Sequence, residues 1–340
     1  MQPYHKTKRG QVILGDSLQY MAALKSESID LVVTSPPFGL VRKKLYGNVE
    51  SHEYLDWFRP FGLQLRRILR PSGSLVIDIG GAWLPGQPTR SLYHFELAVM
   101  LCREMGFYLA QEFFWWNPSK LPSPAEWVTV RRIRVKDAVN MVWWFSPAPW
   151  PKASNTRVLS PYSEAMKGLL KNGYKAKLRP SGHDISDKFG WDNGAAIPPN
   201  LLAIPNTESN SYYLRYCQAK GIEVHPARFP SALPEFFIRM LSDAGEVVLD
   251  PFAGSCVTGE VCERLGRKWI CVEMREEYLR GALGRFERLP RPEQEKLFNT
   301  ARQTAPTYKL YHPAALWNGN EEPLPADGGK ERVIRARRRA

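Results

Sequence analysis

Val247-Val248-Leu249-Asp250-Pro251-Phe252-Ala253-Gly254-Ser255 runs from an apolar strand into a turn of small residues, and its reading decides the fold. A short apolar run ending in Asp-Pro and then Gly-Ser fits a buried parallel strand whose tip leaves room for a ligand against backbone. Helical spacing over Thr258 to Arg264 follows, then a second strand from Trp269 to Val272 that ends at Glu273. Glu273 stands 23 residues after Asp250, at the tip of the next strand. In doubly wound sheets an acidic group reaches a ribose from that place. The turn lacks GxGxxG and the Gly-Lys-Ser or Gly-Lys-Thr of a phosphate loop, so a nucleoside without phosphates fits it better than a pyrophosphate.

The start of the chain repeats the pattern. Gln11 to Leu14 reads as a strand ending at Gly15-Asp16, Ser17 to Leu24 has helical spacing, and Ile29 to Val33 is a strand ending at Thr34-Ser35-Pro36-Pro37-Phe38. Strand, helix, strand implies parallel strands and a right-handed crossover, with both polar endings at the carboxyl edge where ligands gather. Paired prolines fix φ and lack N–H groups, so their carbonyls hold set directions with few competing donors. Such oxygens accept hydrogen bonds from an amino group, and Phe38 is placed to stack on the base that bears it. A helix over Glu53 to Leu69 stops at Arg70-Pro71-Ser72-Gly73. Ser74 to Ile79 is then a buried strand, Leu92 to Met105 a helix, and Phe107 to Trp116 and Ala138 to Phe145 are strands.

The predicted fold is therefore α/β, with a doubly wound, Rossmann-like sheet that is mixed but mostly parallel. From Ser146 to Val224 the composition shifts toward Pro, Asn, Ser, Gly and Lys and periodicity fades, which predicts an irregular region outside the sheet core. Helix Leu233 to Leu241 and strand Glu246 to Leu249 resume the alternation. Past Leu289 the chain is rich in Pro and charge and closes on Arg335, Arg337, Arg338 and Arg339, with room for a short helix over Pro292 to Thr300. The expected division is a catalytic part over 1–145, a target-recognition region over 146–224, the cofactor part of the same domain over 225–289, and a mobile charged tail over 290–340.

With 47 Lys and Arg against 34 Asp and Glu, the net charge of +13 favours a polyanionic partner. No apolar run is long enough to span a bilayer and the first ten residues are polar and basic, so a cytosolic protein with no membrane partner is expected. The five cysteines lack CxxC spacing and read as free thiols, and the histidines form no grouping that predicts a metal. Three features carry two readings each. Asp16 is either a site residue or an N-cap for the helix beginning at Ser17, Trp115 and Trp116 stack on nucleic acid or fill the core, and Arg131, Arg132, Arg134 and Lys136 track phosphates or form a solvated basic face.

Thr-Ser-Pro-Pro-Phe near the start and Asp-Pro-Phe-Ala-Gly-Ser near the end resemble the beta class of amino DNA methyltransferases, in which the catalytic motif precedes the methionine-binding one. Likeness to cytosine-N4 members extends through Arg42-Lys43-Lys44, Asn117-Pro118-Ser119-Lys120-Leu121-Pro122-Ser123-Pro124, Arg179-Pro180-Ser181-Gly182-His183-Asp184-Ile185 and His225-Pro226-Ala227-Arg228-Phe229-Pro230. It covers roughly Tyr4 to Phe286. The resemblance implies that Ser35, Pro36 and Pro37 hold the target amino group and Phe38 packs on the flipped base. It implies that Phe252, Ala253, Gly254 and neighbouring Asp250 and Ser255 surround the methionine moiety of S-adenosylmethionine. Glu273 would bind the ribose, Asp16 the adenine amino group, and Pro226, Phe229 and Pro230 would enter the cofactor wall. Cys256-Val257 departs from the class, which usually has Gly or Asn followed by Thr.

Double-stranded DNA is the expected partner, with Arg42, Lys43, Lys44, Ser181, His183 and Asp184 as DNA-binding residues and the last three of them reading bases. Lys175 and Lys177 are further candidates for phosphate contacts. A cognate restriction endonuclease would be a functional partner, and the resemblance carried to specificity implies CAGCTG, methylated on the internal cytosine. Ser35 favours cytosine N4, since adenine-N6 enzymes usually have Asp or Asn there. Adenine N6, an RNA substrate and a silent DNA-binding protein are the alternatives. No cysteine follows proline, which leaves a carbon-5 cytosine enzyme without its nucleophile.

Overall fold

The computed structural model describes residues 1–39, 49–173, 177–178, 180, 182, 184–185, 190–207 and 211–287. Arg42, Lys43, Lys44, Lys175, Ser181, His183 and the predicted tail after 290 lie outside the described residues. The first half contributes β1 (Pro3–Lys6), β2 (Gly10–Leu14), α1 (Ser17–Ala22), β3 (Ile29–Thr34), α2 (Tyr54–Ile68), β4 (Leu69–Ile79), α3 (Tyr93–Arg103), β5 (Tyr108–Trp116) and β6 (Val139–Ser146). There follow α4 (Glu164–Asn172), β7 (Lys177–Leu178), β8 (Asp184–Ile185), β9 (Leu201–Ala203) and α5 (Tyr212–Lys220). The chain returns to the sheet with α6 (Ala232–Leu241), β10 (Val247–Asp250), α7 (Val257–Leu265), β11 (Lys268–Glu273) and α8 (Glu276–Ala282).

Nine strands pair in the order β1-β2-β11-β10-β3-β4-β6-β5-β9. The five from β2 to β4 are mutually parallel, while β1 and β6 run against their neighbours. The two strands that open the chain, β2 and β3, are thus parallel but not adjacent, because β10 and β11 lie between them. Alternation along each strand sends side chains to opposite layers. Leu31 and Val33 face a core shared with α6, α7 and α8, whereas Val32 faces one shared with α1, α2 and α3. Helix α2 shows why its sequence folds as it does: Tyr54, Phe58, Phe61, Leu65 and Ile68 recur at helical spacing and are all buried. The doubly wound, mostly parallel expectation holds.

Several elements depart from the sequence reading. Strand β4 begins at Leu69, the last residue of the expected helix, and runs through the expected break. Leu69 pairs with Ile29, and Arg70 Nε meets Asp30 Oδ1 at 2.9 Å, so the chain joins β3 as soon as α2 ends. The 146–224 region is less irregular than its composition suggests. Ser163 caps α4 by accepting the Met166 N–H at 3.2 Å, and Gly221 ends α5 in the left-handed conformation. That region also supplies a strand of the main sheet. Residues Leu201–Ala203 add to the edge of β5, Trp115 Nε1 donates to Ile204 O at 2.9 Å, and Leu202 is fully buried. Strand β1 and helix α8 were not anticipated.

Asp250, at the tip of β10, fastens this sheet where the site begins. Its Oδ1 accepts from Thr34 Oγ1 at the end of β3 (2.7 Å) and from Phe252 N (3.1 Å), and its Oδ2 accepts from Thr258 Oγ1 in α7 (2.7 Å). Burial pushes this carboxyl up to about 6, against the hydrogen bonds from Thr258, Thr34 and Phe252 that favour its charged form. Thr34→Val keeps the volume and deletes one donor to a buried carboxylate, so it should cost about 1.5 to 3 kcal/mol in urea unfolding. Asp250→Ala, which strands two buried hydroxyls, should cost more; a loss under about 0.5 kcal/mol for both would show that the tie does not hold the strands.

Candidate active site

The carboxyl ends of β2, β3, β4, β10 and β11 open on one cavity of about 580 Å³. The end of β5 and the start of β6 close its side with Asn117 and Asn140. At the corner beyond β3, Ser35, Pro36, Pro37 and Phe38 all line the cavity. Ser35 Oγ donates to Asp78 Oδ2 at 3.0 Å, and Asn140 Nδ2 donates to Asp78 Oδ1 at 3.0 Å. With its hydrogen directed to Asp78, the Ser35 oxygen keeps its lone pairs for a donor in the cavity. Asp78 is buried on β4, and that burial pushes its carboxyl up to about 6 despite the Asn140 and Ser35 hydrogen bonds and the charge of Lys120.

Phe38 is seated on backbone. A methyl group at Gly80 would stand 2.6 Å from Phe38 Cε2, so only glycine lets the ring lie there. Tyr93 donates its hydroxyl to the Gly80 carbonyl and fixes the strand end from behind.

The opposite wall comes from β10, β11 and the 225–229 loop. Phe252 packs on Phe61 and Trp57, with ring centres at 5.0 and 5.8 Å, and gives the cavity an aromatic side. Glu273 accepts from Gly254 N (2.9 Å) through Oε2 and from Arg275 N (3.0 Å) through Oε1. Each oxygen keeps a further lone pair for a ligand hydroxyl. Burial raises this carboxyl above its ordinary value, against the three backbone N–H groups around it. Gly254 sits at φ 50°, and a methyl there would come within 3.0 Å of His225 Nε2. His225 is held by Ala227 N, which donates to its Nδ1 at 3.2 Å, and by Tyr278, whose ring lies edge-on at 4.2 Å. Burial lowers the His225 pKa to about 4, so its ring is neutral near pH 7.

Of the cofactor residues read from the sequence, Pro226, Phe229, Phe252, Ala253, Gly254, Ser255 and Glu273 line the cavity. Three do not. Asp250 lies behind the wall as the strand tie, and Pro230 falls just past the lining. Asp16 is the N-cap of α1, its Oδ1 accepting from Leu18 N at 2.7 Å, while its neighbours Gly15 and Ser17 reach the cavity. The unusual Cys256 points into the protein, fully buried in a left-handed turn, and it is Val257 that touches the cavity. Asp184 belongs to the separate β7–β8 pair. Trp115 is buried, as its core reading expects, and one side of it lines the cavity.

Asp78 and Asn140 were missed. The signal for Asp78 was present, since a lone carboxylate within the apolar strand Ser74 to Ile79 must have partners if it is buried.

A family model described as DNA methylase, for N6 and N4 enzymes, matches residues 29–283. The chain belongs to the N6/N4 DNA methylase family. This methylase is 54% identical over 287 residues to the type II methyltransferase M.PvuII of Proteus hauseri, a span of 84% of this chain and 85% of that protein. It is 25% identical over 283 residues to the DNA adenine methyltransferase YhdJ of Escherichia coli K12, covering 81% of this chain and 82% of that one. The solved structure of the PvuII DNA methyltransferase, described as cytosine-N4-specific, matches with a TM-score of 0.70 and 46% identity over 88% of this chain and 94% of that one.

Gly80→Ala is the sharpest test of the corner. By displacing Phe38 it should lower turnover on the order of 100-fold, the cost of misplacing a reacting group by about 1 Å, with cofactor affinity unchanged. Glu273→Ala should do the reverse, weakening cofactor binding in calorimetry by about 1.5 to 3 kcal/mol. If the two variants fail in the same way, the separation into two walls is wrong.

Proposed function

We propose that this methylase transfers a methyl group from S-adenosylmethionine to N4 of a cytosine flipped out of duplex DNA. One observation carries the choice of base: Ser35 occupies the first position of the Ser-Pro-Pro-Phe corner and is hydrogen bonded to Asp78. The 54% identity to M.PvuII supports the same reading and extends it to CAGCTG, methylated on the internal cytosine, in the setting of a restriction-modification system with a cognate endonuclease. The enzyme acts on DNA in the bacterial cytosol. Among the described residues, no helix is long and apolar enough to cross a membrane.

The residues fit the donor. Glu273 offers oxygens to a ribose, the turn at Gly254 keeps backbone open to a bulky ligand, and Phe252 with Trp57 and Phe61 gives an apolar side. When bound, S-adenosylmethionine supplies an electrophilic methyl group. The protein's task is the nucleophile. An exocyclic amine is a poor one because its lone pair is delocalised into the ring. Acceptors at Ser35 Oγ and the Pro36 carbonyl favour its pyramidal form as positive charge develops on nitrogen. Phe38 holds the ring in place against the acceptors. As the nitrogen gains its bond to carbon, its surplus proton passes to Ser35 Oγ, which releases its own to Asp78 Oδ2. Asp78 can receive it only while ionised.

Because the Asp78 pKa is raised to about 6, the protonated form persists to higher pH than in an ordinary carboxyl. Single-turnover rates should therefore be level above pH 7 and fall as pH drops through about 6, about tenfold per unit. Asp78→Asn should remove that limb and cost roughly 100-fold or more at pH 8. A wild-type profile flat down to pH 5 would exclude Asp78 as the proton acceptor. Mass spectrometry of nucleosides from treated DNA identifies the product. N4-methylcytosine is expected, and N6-methyladenine alone would overturn the assignment of the base.

A further inference from the structure

The connection between β5 and β6, residues 117–138, rises from the mouth of the cavity: Asn117, Lys120 and Ala138 line it at the loop's two feet. The loop is braced internally. Asp137 N donates to Ser123 O at 3.0 Å, Ile133 N to Trp127 O at 2.9 Å, and Lys136 Nζ to Lys120 O at 3.1 Å. Asp137 in turn accepts from Trp83 Nε1 at 2.8 Å and pairs with Arg90, which docks the loop on the segment after β4.

What the brace presents is unusual for a solvated loop. Leu121 is 80% exposed, Val130 68% and Val135 86%, on a loop that also carries Lys120, Arg131, Arg132, Arg134 and Lys136. Its two carboxylates are both committed, Glu126 to Arg131 at 2.7 Å and Asp137 to Trp83 and Arg90. An excess of cations beside exposed aliphatic groups, on a supported projection at the rim of a base-sized cavity, matches a duplex whose stack is being opened. Phosphates answer the arginines, and apolar side chains fill gaps between base steps.

We propose that this loop is the element that enters the duplex, with Arg132 and Arg134 on the phosphates and Leu121, beside the rim residue Lys120, filling the gap that the extruded base leaves. The proposal rests on the base-extrusion reading above. It decides between the two readings of the basic run Arg131 to Lys136 in favour of phosphate contact, and it adds a role for Leu121 that the sequence reading did not assign. Leucine is suited to this role, because an aliphatic side chain replaces the lost stacking contact without imposing a hydrogen-bond preference on the orphaned partner base.

The test uses the full chain, Leu121→Ala and the double variant Arg132→Ala with Arg134→Ala. The probes are two duplexes carrying the methylated site mapped by sequencing, one with the target normally paired and one with the target opposite an abasic position. Leu121→Ala should methylate the paired duplex about tenfold more slowly, lose the fluorescence rise of pyrrolo-cytosine at the target, and stay within about twofold of wild type on the pre-opened duplex. The arginine variant should lower the salt dependence of duplex binding by about 2 in slope. Equal rates for Leu121→Ala and wild type on the paired duplex, or equal losses on both duplexes, overturn the role of Leu121. An unchanged salt slope overturns the phosphate grip. If the wild-type protein methylates no DNA, it is the proposed function that fails, and the salt slope still decides whether the loop touches a duplex.

Discussion

A single buried carboxylate joins the two halves of the site. Asp250 receives hydroxyl hydrogens from Thr34 on β3 and Thr258 on α7 and the N–H of Phe252 in the adjoining turn. One group therefore sets the height of the strand that ends in the Ser35 corner and the start of the turn that carries the opposite wall of the cavity. Methyl transfer needs donor and acceptor atoms placed to within fractions of an ångström. Loops alone would not supply that, and a shared hydrogen-bond hub between adjacent parallel strands does.

Asp250 and Asp78 show how the same residue type takes two roles in one sheet. Both are buried and both are pushed up to about 6. Asp250 has protein donors on both oxygens and lies away from the cavity, so its charge is spent on structure. Asp78 lies on the cavity lining, held by Ser35 and Asn140, and both of these partners line the cavity with it. Position relative to the cavity, more than the size of the shift, separates the structural carboxylate from the chemical one.

The α/β architecture and both signature corners were legible because their strands are short, apolar and closed by distinctive turns, so period and punctuation agree. Ser35 to Phe38 and most of the residues read as a cofactor wall line one cavity at the strand ends that those turns marked. What was not legible depends on distant chain segments. Asp78 and Asn140 come into the site through pairing of β4 with β6, which no local pattern records. Strand β9 is three residues of edge pairing inside a segment of loop composition, too short to show a period. Asp16 takes the capping half of its two readings, since a strand-end carboxylate beside the site spends Oδ1 on a helix cap.

The strand order has a consequence for synthesis. On the ribosome β2 and β3 emerge early, while β10 and β11, which fill the space between them, arrive more than 200 residues later. Until then the growing chain holds two unpaired apolar edges across a slot of about 14 Å, the width of three strand spacings. Open edges of this kind are templates for wrong pairing. Neither the wall that holds the donor nor the Asp250 tie exists before the slot is filled. Competence to methylate therefore arrives in a single late event, and a partly made chain can hold neither cofactor nor geometry.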